Sequence, residues 1–271
     1  MEPKILFTDL DDTLLNSDKI VTKDNIEAMN QMLNAGHKLV LNTGRPLLAC
    51  KNVENQLDLK RKGCFISAFN GGQIYDCYTR KTLYKRTIPI EYTRHIFHET
   101  GKAGIYCQTY SNEGVLAREM TPELSHYVSE THTPYKIIQD LPDCLEEEPV
   151  KILAVHMSDD RSVLDSYRKA LSGWAADKIS TFYSDSWYLE HVPYGISKGS
   201  AVSFLCRHLN IPTSLTVAVG DEENDIAMIK TAHVGAAMSN ATSQVKSCSN
   251  YITKNDCNHS GVAEIIDRFI L

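Results

Sequence analysis

The stretch Lys4-Ile5-Leu6-Phe7-Thr8-Asp9-Leu10-Asp11-Asp12-Thr13-Leu14 begins as an apolar strand and ends in three acidic residues within four positions. Carboxylates are poor strand formers, so these three acids are not explained by a role in the sheet. Because side chains alternate across a strand, Asp9 and Asp11 start out pointing the same way. Two close carboxylates repel by roughly 4 kcal/mol at an effective dielectric near 20, and they need a cation or a shared proton. The stretch is either a ligand site at the carboxyl end of a strand or an acidic turn with Asp12 as a helix cap.

The composition is that of an ordinary globular protein. The 271 residues are 42% hydrophobic and 23% charged, with a net charge of −6 and no basic run, which disfavours a nucleic-acid partner. The eight cysteines have neither zinc-site spacing nor the density of a disulfide scaffold. The N-terminus carries acids where a signal peptide needs a basic flank and a longer apolar core, so we expect no signal peptide. No apolar stretch approaches the ~18 residues of a membrane span. We therefore expect a soluble, cytoplasmic protein with no membrane partner, and we slightly favour a monomer.

Strands and helices alternate towards both ends of the chain. The spacing predicts a helix over 22–35, with Thr22 as its N-cap and Gly36 ending it, and buried strands at 37–41 and 64–69. The same rhythm returns later, with predicted helices at 197–209 and from residue 261 and strands at 215–219, 234–237 and 251–252. Strands separated by a dozen or more residues that include a helix are typical of a parallel α/β sheet.

The middle of the chain follows a different pattern, in which short strands come in pairs, as at 104–110 and 114–118. We expect an inserted α+β domain at 85–189 and an α/β domain formed jointly by 1–84 and 190–271, with boundaries good to a few residues. Most of the tyrosines and both tryptophans lie in the insertion. We favour their filling a thin core between small sheets, and a surface that faces a substrate is the alternative.

Four polar stretches end predicted strands or open predicted helices: Asp9 with Asp11, Thr43-Gly44-Arg45, Lys198, and Asp221 with Asp225. Each stretch alone is weak, because a lone lysine near a helix start is usually solvated and a lone Thr-Gly is usually a turn. Together, in this order and in an α/β context, they are specific.

These motifs resemble those of the haloacid-dehalogenase superfamily of phosphohydrolases, and within it the Cof-type sugar-phosphatase branch. Residues 9–14 correspond to the first motif, 43–45 to the second, Lys198 to the third and 220–225 to the fourth. The insertion lies where that branch carries its cap, and Asn70-Gly71-Gly72 stands where it has an Asn-Gly turn. The resemblance implies a Rossmann-like, doubly wound parallel sheet core with an inserted α+β cap domain.

The resemblance also implies chemical roles. Asp9 would be the nucleophile that forms an aspartyl-phosphate, and Asp11 would protonate the leaving alcohol and then deprotonate water. Mg²⁺ would be held by Asp9, the backbone carbonyl of Asp11 and Asp221, with Asp225 as a further ligand or as support. The residues implied to bind the phosphoryl group are Leu10, Thr43, Gly44, Arg45, Lys198 and Asn224.

Two of these phosphate-binding assignments have alternatives. Arg45 either reaches the substrate or forms a salt bridge that holds its loop, and Asn224 contacts either phosphate or Lys198. One departure from the family pattern concerns Asp12, which stands where the family most often has glycine. Because Asp tolerates a left-handed backbone, we expect the turn to survive. We expect His191 to pack near a hinge rather than to act in chemistry.

An acid at position 11 fits phosphate-ester hydrolysis, since dehalogenases of the superfamily lack it and P-type ATPases have Thr there. The sequence thus predicts a Mg²⁺-dependent phosphatase acting on a small-molecule phosphate ester, above all on sugar phosphates. A phosphomutase with the same motifs is the alternative among enzymes, and a non-catalytic phosphate-binding regulator is the alternative outside them.

Overall fold

The computed structural model describes residues 2–271. Its strands are β1 (Ile5–Thr8), β2 (Lys38–Asn42), β3 (Cys64–Ala68), β4 (Gln73–Asp76), β5 (Lys81–Lys85), β6 (Tyr106–Tyr110), β7 (Val115–Ala117), β8 (Tyr135–Ile137), β9 (Ile152–Val155), β10 (Ile179–Asp185), β11 (Tyr188–Pro193), β12 (Thr216–Gly220), β13 (Val234–Ala237) and β14 (Tyr251–Ile252). Its helices are α1 (Lys23–Asn34), α2 (Lys51–Gln56), α3 (Ile90–Lys102), α4 (Pro122–Thr131), α5 (Ser162–Ala175), α6 (Lys198–Leu209), α7 (Ile226–Thr231), α8 (Ser243–Cys248) and α9 (Gly261–Phe269).

The first sheet has eight strands in the order β14-β13-β12-β1-β2-β3-β4-β5. The strands from β14 to β3 run parallel, and the hairpin of β4 and β5 extends the sheet in antiparallel fashion. The central strand β1 is fully buried because helices cover both faces of the sheet. The chain leaves β1 towards β2 on one side and later returns through β12 on the other, so β1 and β12 flank a switch point where ligands of such sheets bind. The predicted doubly wound α/β core is confirmed.

The second sheet has six strands in the order β10-β11-β9-β6-β7-β8. All its pairings are antiparallel except that of β7 with β8. One face packs on α3 and α5 through residues such as Phe97 and Leu164, and the other face turns towards the first sheet, where Tyr110 meets Phe69 edge-on at 5.6 Å. This sheet with its helices is the predicted α+β cap.

Two local expectations differ from the structure. No strand was expected at β8, whose three residues are all exposed and therefore carry no hydrophobic alternation. Thr22 stands at the N-cap position of α1, but its hydroxyl pairs with the Ser260 hydroxyl at 2.8 Å instead of capping a backbone N–H. Across residues 2–271, we find no helix that combines the length and apolar character of a membrane span.

His191 is buried within β11, in the interior of the cap. Its Nε2 atom and the Tyr167 hydroxyl lie 3.1 Å apart, and the two rings meet edge-on. Burial lowers the pKa of His191 from 6.5 to about 4. The residue thus packs inside the cap sheet.

This burial predicts a pH-dependent stability. Below pH 6.5 the unfolded chain binds a proton at His191 that the folded chain excludes until about pH 4, so stability falls as pH falls. We expect the free energy of unfolding to drop by about 2 kcal/mol more in the wild type than in His191→Gln between about pH 7.5 and about pH 5. Urea denaturation at several pH values measures both, and parallel pH profiles would contradict the prediction.

Candidate active site

The predicted motif residues converge at the carboxyl ends of β1 and β12. Asp9 directly follows β1, Asp221 directly follows β12, and Lys198 is the first residue of α6. The Asp9 backbone N–H donates to the Val219 carbonyl oxygen at 3.1 Å, which ties the two strand ends together. α6 begins here because Ser197 and Ser200 form a capping box. The sheet topology therefore brings together residues that lie more than 200 positions apart.

Lys198 is the centre of a buried charge cluster. Its Nζ atom lies 2.7 Å from Asp9 Oδ1 and 2.6 Å from Asp225 Oδ1, and its side chain is fully buried. Thr13 donates a hydrogen bond of 2.6 Å to Asp221 Oδ1 in the same cluster. One lysine thus faces three buried carboxylates.

The cluster has fewer cations than carboxylates, and this raises the pKa values of its acids. Burial, and next the charge of Asp225, raise the pKa of Asp9 to about 7 in spite of Lys198. Burial, Asp225 and Asp9 together raise the pKa of Asp221 well above its ordinary value. Burial alone would lower the pKa of Lys198, but the Asp225 and Asp9 carboxylates outweigh it and raise that pKa. A further cation at this place would relieve the repulsion.

The same carboxylates have the chemistry of a divalent metal site. Asp9, Asp221 and Asp225 each offer an oxygen, and the three oxygens lie within 4.8 Å of one another. Asp225 is already engaged, since Oδ1 contacts Lys198 and Oδ2 accepts the backbone N–H groups of Asp221 and Glu222 at 2.9 and 3.0 Å. Hard carboxylate oxygens suit Mg²⁺. The donor set fits that ion best with Asp9 and Asp221 as ligands and Asp225 as their support.

Asp11 lies outside this cluster. Arg45 donates to its two oxygens from Nε and Nη2, at 2.7 and 2.6 Å, and Lys19 Nζ is 3.3 Å from it. Burial would raise the pKa of Asp11, but these two cations outweigh burial and lower it. The repulsion expected between Asp9 and Asp11 is therefore relieved by a separate partner for each. Of the two roles considered for Arg45, the salt bridge is present here.

The turn that follows Asp9 and Asp11 depends on Asp12. Its backbone has φ 52° and ψ 13°, in the left-handed region, so the expectation that Asp would keep this turn is confirmed. The Asn240 side-chain amide donates to the Asp12 carbonyl oxygen at 2.8 Å and supports the turn. The side chain of Leu10 is fully buried in the apolar core, so only its backbone is available to a ligand.

The second motif, Thr43-Gly44-Arg45, follows the end of β2 beside the charge cluster. Thr43 is buried, and its hydroxyl accepts the Arg45 backbone N–H at 3.1 Å. The Gly44 carbonyl oxygen accepts a hydrogen bond of 2.8 Å from Lys151 Nζ, which comes from the cap. A cap side chain therefore contacts the motif loop directly.

Lys151 and Glu190 were missed by the sequence analysis. Their charged groups lie 2.8 Å apart, both side chains are at most 3% exposed, and burial lowers the pKa of Lys151. Lys151 directly precedes the apolar strand β9, and Glu190 lies within β11. A charged residue next to or inside a buried strand needs a partner, and this could have indicated the pair from the sequence.

Asn224 is placed differently from either expected contact. Its amide donates to Asn70 Oδ1 at 3.0 Å rather than contacting Lys198. Asn70 belongs to the predicted Asn-Gly turn and has φ 56°. The Asn-Gly turn therefore holds the fourth motif in place through the Asn70 side chain. The sequence pattern indicated a turn here but not this contact.

The cluster and the motif loops open into one cavity between the core and the cap. Its cap-side wall is formed by His126, Tyr127, Glu130, Asp185, Tyr188 and Glu190. Some cap tyrosines, such as Tyr183, fill the cap interior, whereas Tyr127 and Tyr188 face this cavity. The expected core-filling role therefore holds for some of the cap tyrosines, and the alternative of a surface that faces a substrate holds for others.

Comparison with known proteins gives consistent matches along the chain. The family model described as haloacid dehalogenase-like hydrolase matches residues 6–266. A predicted phosphatase of Streptococcus pyogenes is 30% identical over 273 residues, covering 100% of both chains. A 5-amino-6-(5-phospho-D-ribitylamino)uracil phosphatase of Bacillus subtilis is 27% identical, covering 99% of this chain and 96% of that one. The crystal structure of a haloacid dehalogenase-like hydrolase from Bacteroides thetaiotaomicron superposes with a TM-score of 0.87 at 29% identity, over 98% of this chain and 99% of that one.

The charge cluster predicts a large stability loss when its cation is removed. In Lys198→Met the carboxylates of Asp9 and Asp225 stay buried without a counter-charge, so we expect a loss of about 3–5 kcal/mol in the free energy of unfolding. The exposed Lys230 provides a matched control, and Lys230→Met should change stability by less than about 0.5 kcal/mol. Denaturant titration in EDTA measures both variants, and equal stabilities would refute the importance of the cluster.

Proposed function

Because the chain belongs to the haloacid dehalogenase-like hydrolases, we propose that it is a Mg²⁺-dependent phosphatase that hydrolyses small phosphorylated metabolites, sugar phosphates above all, through an aspartyl-phosphate on Asp9. Within that family it is a Cof-type phosphohydrolase, and its reaction class is phosphoric monoester hydrolysis. We place this activity in the cytoplasm. The relative named as a phosphatase of a ribitylamino phosphate supports a polyhydroxylated substrate.

One observation carries the proposal: Lys198 holds the Asp9 carboxylate at the switch point of the sheet, next to Asp221 and below a cavity that the cap covers. Nucleophilic attack requires Asp9 to be ionised, and its raised pKa would leave it partly protonated near neutral pH. Lys198 and a metal ion between Asp9 and Asp221 would both favour the ionised form. The arrangement thus suits a carboxylate nucleophile that works together with a cation.

In the first step, an Asp9 oxygen would form a bond to phosphorus while the bond from phosphorus to the leaving oxygen breaks. The leaving oxygen would take the proton of the Asp11 carboxylic acid. In the second step, the Asp11 carboxylate would take a proton from water as the water oxygen attacks phosphorus. The Asp9–phosphorus bond then breaks, which releases phosphate and restores both carboxyl groups.

The charges of the phosphoryl group would be met by groups at the end of the sheet. When bound, Mg²⁺ would neutralise charge on the phosphoryl oxygens and on the carboxylates of Asp9 and Asp221. Lys198, held by Asp225, would contribute a second positive charge. We further assign phosphoryl contacts to Leu10, Thr43, Gly44, Arg45 and Asn224, and a metal contact to the Asp11 backbone carbonyl.

The ion pair of Arg45 with Asp11 must loosen before Asp11 can act as an acid in the first step. In this structure Arg45 keeps Asp11 ionised, which suits the base in the second step but not the acid in the first. A substrate's phosphoryl group would bring a further anion into the cavity that Arg45 lines. We therefore propose that the substrate draws Arg45 away from Asp11, so that Asp11 can carry the proton that the leaving group needs.

The cap would read the leaving group and exclude water while phosphoryl transfer proceeds. We propose a core of 1–84 and 190–271 and a cap of 85–189. The boundaries shift by a few residues, because β5 continues the core sheet to Lys85 and β11 continues the cap sheet to Pro193. The connecting segments would act as hinges near Ile88-Pro89 and Val192-Pro193.

The nucleophile is tested by Asp9→Asn. We expect phosphate release from p-nitrophenyl phosphate and from a set of sugar phosphates to require Mg²⁺, to stop in EDTA, and to fall at least about 1,000-fold in Asp9→Asn because an amide cannot attack phosphorus. The exposed Asp267 supplies the matched control, Asp267→Asn, which should retain full activity. Sugar isomerisation without net phosphate release would indicate a phosphomutase, and undiminished release by Asp9→Asn would refute the proposal.

The acid role of Asp11 is tested by the dependence on the leaving group. A sugar alkoxide needs a proton to leave, whereas p-nitrophenolate leaves without one. For Asp11→Asn we expect kcat/KM to fall by about 100-fold or more with a sugar phosphate and by clearly less with p-nitrophenyl phosphate. Steady-state kinetics with both esters measures the difference, and an equal loss for both would show that Asp11 is not the acid.

A further inference from the structure

The charges around the active-site cavity are unevenly paired. Each lysine and arginine that lines the cavity contacts an acid: Arg45 and Lys19 contact Asp11, and Lys151 contacts Glu190. Lys19 is also 3.9 Å from Asp12, which lies nearer the surface. The basic groups of the cavity wall are therefore largely neutralised by their own partners before any ligand enters.

Three further carboxylates of the cavity wall form what we call the acidic rim: Glu130 from α4, Asp185 from β10 and Glu222 after β12. Among residues 2–271, no lysine, arginine or histidine nitrogen lies within 4.0 Å of any of the three. The charge of Arg161 also acts on Glu222, from beyond that distance. The rim combines residues of the core and the cap that line the same cavity, so a ligand bound in that cavity lies near it.

The members of the rim are close enough for their charges to act on one another and on Asp12. The pKa of Asp12 is raised first by its partial burial, and the charges of Asp185 and Glu130 add to that effect. The pKa of Glu222 is likewise raised by burial, with a contribution from Asp185. Carboxylates that lack a cation within 4.0 Å are therefore present on both the core side and the cap side of the cavity.

The position of the rim determines which part of a substrate it faces. Phosphorus must lie next to Asp9, so the leaving group extends from there along the cavity towards the cap. We propose that the acidic rim makes this enzyme selective for phosphomonoesters whose leaving group is neutral or carries an amine, and makes it discriminate against leaving groups with a second phosphate or a carboxylate. This inference rests on the proposed function.

The physical basis is a difference of interactions at the same place. Hydroxyl and ammonium groups can donate hydrogen bonds to the rim carboxylates, while a second anion meets uncompensated like charge. Glu130 and Asp185 are exposed to solvent and Glu222 is half-buried, so the effect of the rim is moderate and weakens with salt. At low ionic strength a charge about 6 Å from a rim carboxylate should change binding about threefold for each carboxylate.

The test compares two matched pairs of esters that differ in one charged group. Sorbitol 6-phosphate and 6-phosphogluconate share an open chain and differ in a carboxylate, and glucose 6-phosphate and glucosamine 6-phosphate share a ring and differ in an amine. Each ester is measured as a competitive inhibitor of p-nitrophenyl phosphate hydrolysis with Mg²⁺ at low ionic strength. This gives a binding ratio for each pair even where the ester itself is turned over slowly.

We expect the wild type to bind sorbitol 6-phosphate about tenfold or more tightly than 6-phosphogluconate, and glucosamine 6-phosphate at least as tightly as glucose 6-phosphate. Glu130→Gln and Asp185→Asn should each reduce the first ratio about threefold, and the double variant about tenfold. Glu27→Gln, which removes an exposed charge on α1, should leave both ratios unchanged. Raising ionic strength to about 0.5 M should shrink the wild-type ratio towards that of the double variant.

Two results would overturn the inference while the proposed function stands: equal binding of both members of the first pair by the wild type, or an unchanged ratio in the double variant. Absence of Mg²⁺-dependent phosphate release from every ester, p-nitrophenyl phosphate included, would instead overturn the proposed function, and this inference with it.

Discussion

The structure of the site depends on the contact of the buried Lys198 ammonium with Asp9 and Asp225. Three elements meet at this contact: the end of β1, the start of α6 and the loop after β12. A buried ammonium with two carboxylate partners is stable only where its geometry satisfies both. The loop after β12 is shaped accordingly, since a Cβ at Gly220 would collide with the Asp225 side chain that folds back beneath it. The nucleophile is therefore positioned by electrostatics as much as by the strand that precedes it.

Charge is distributed along the cavity in a consistent order. At its base, three carboxylates share one lysine, which suits a bound divalent cation and a phosphoryl group. In the middle, Arg45 pairs with Asp11 and Lys151 pairs with Glu190. Lys151 also donates to the Gly44 carbonyl oxygen, so a partly buried hydrogen bond joins the cap to the motif loop. Such a bond links the position of the cap to the loop that faces the phosphoryl group, which is what a cap that responds to substrate requires.

The sequence pattern predicted strands and helices well where hydrophobic periodicity was strong. β13 and β14 have the expected bounds, and the doubly wound sheet followed from the spacing of its strands. It missed β8, because an exposed edge strand leaves no apolar signal, and it assigned the Thr22 hydroxyl a cap role, because the competing contact with Ser260 comes from 238 residues away. The sequence pattern also overlooked Lys151 and Glu190, because these residues matter as an ion pair between the neighbouring strands β9 and β11.

The sequence by itself determined that the core is a parallel α/β sheet and which chemical types follow its strands, because periodicity and local motifs are properties of neighbouring residues. The order of the strands in the sheet came from the tertiary structure. The sequence also determined that Asp12 could hold a left-handed turn, since that tolerance belongs to the residue. Only the tertiary structure decided that Arg45 pairs with Asp11 and that Asn224 contacts Asn70. It alone decided that the carboxylates of Glu130, Asp185 and Glu222 meet at one rim. Each of these contacts joins side chains from distant segments, and their partners depend on how the core and the cap are placed in space.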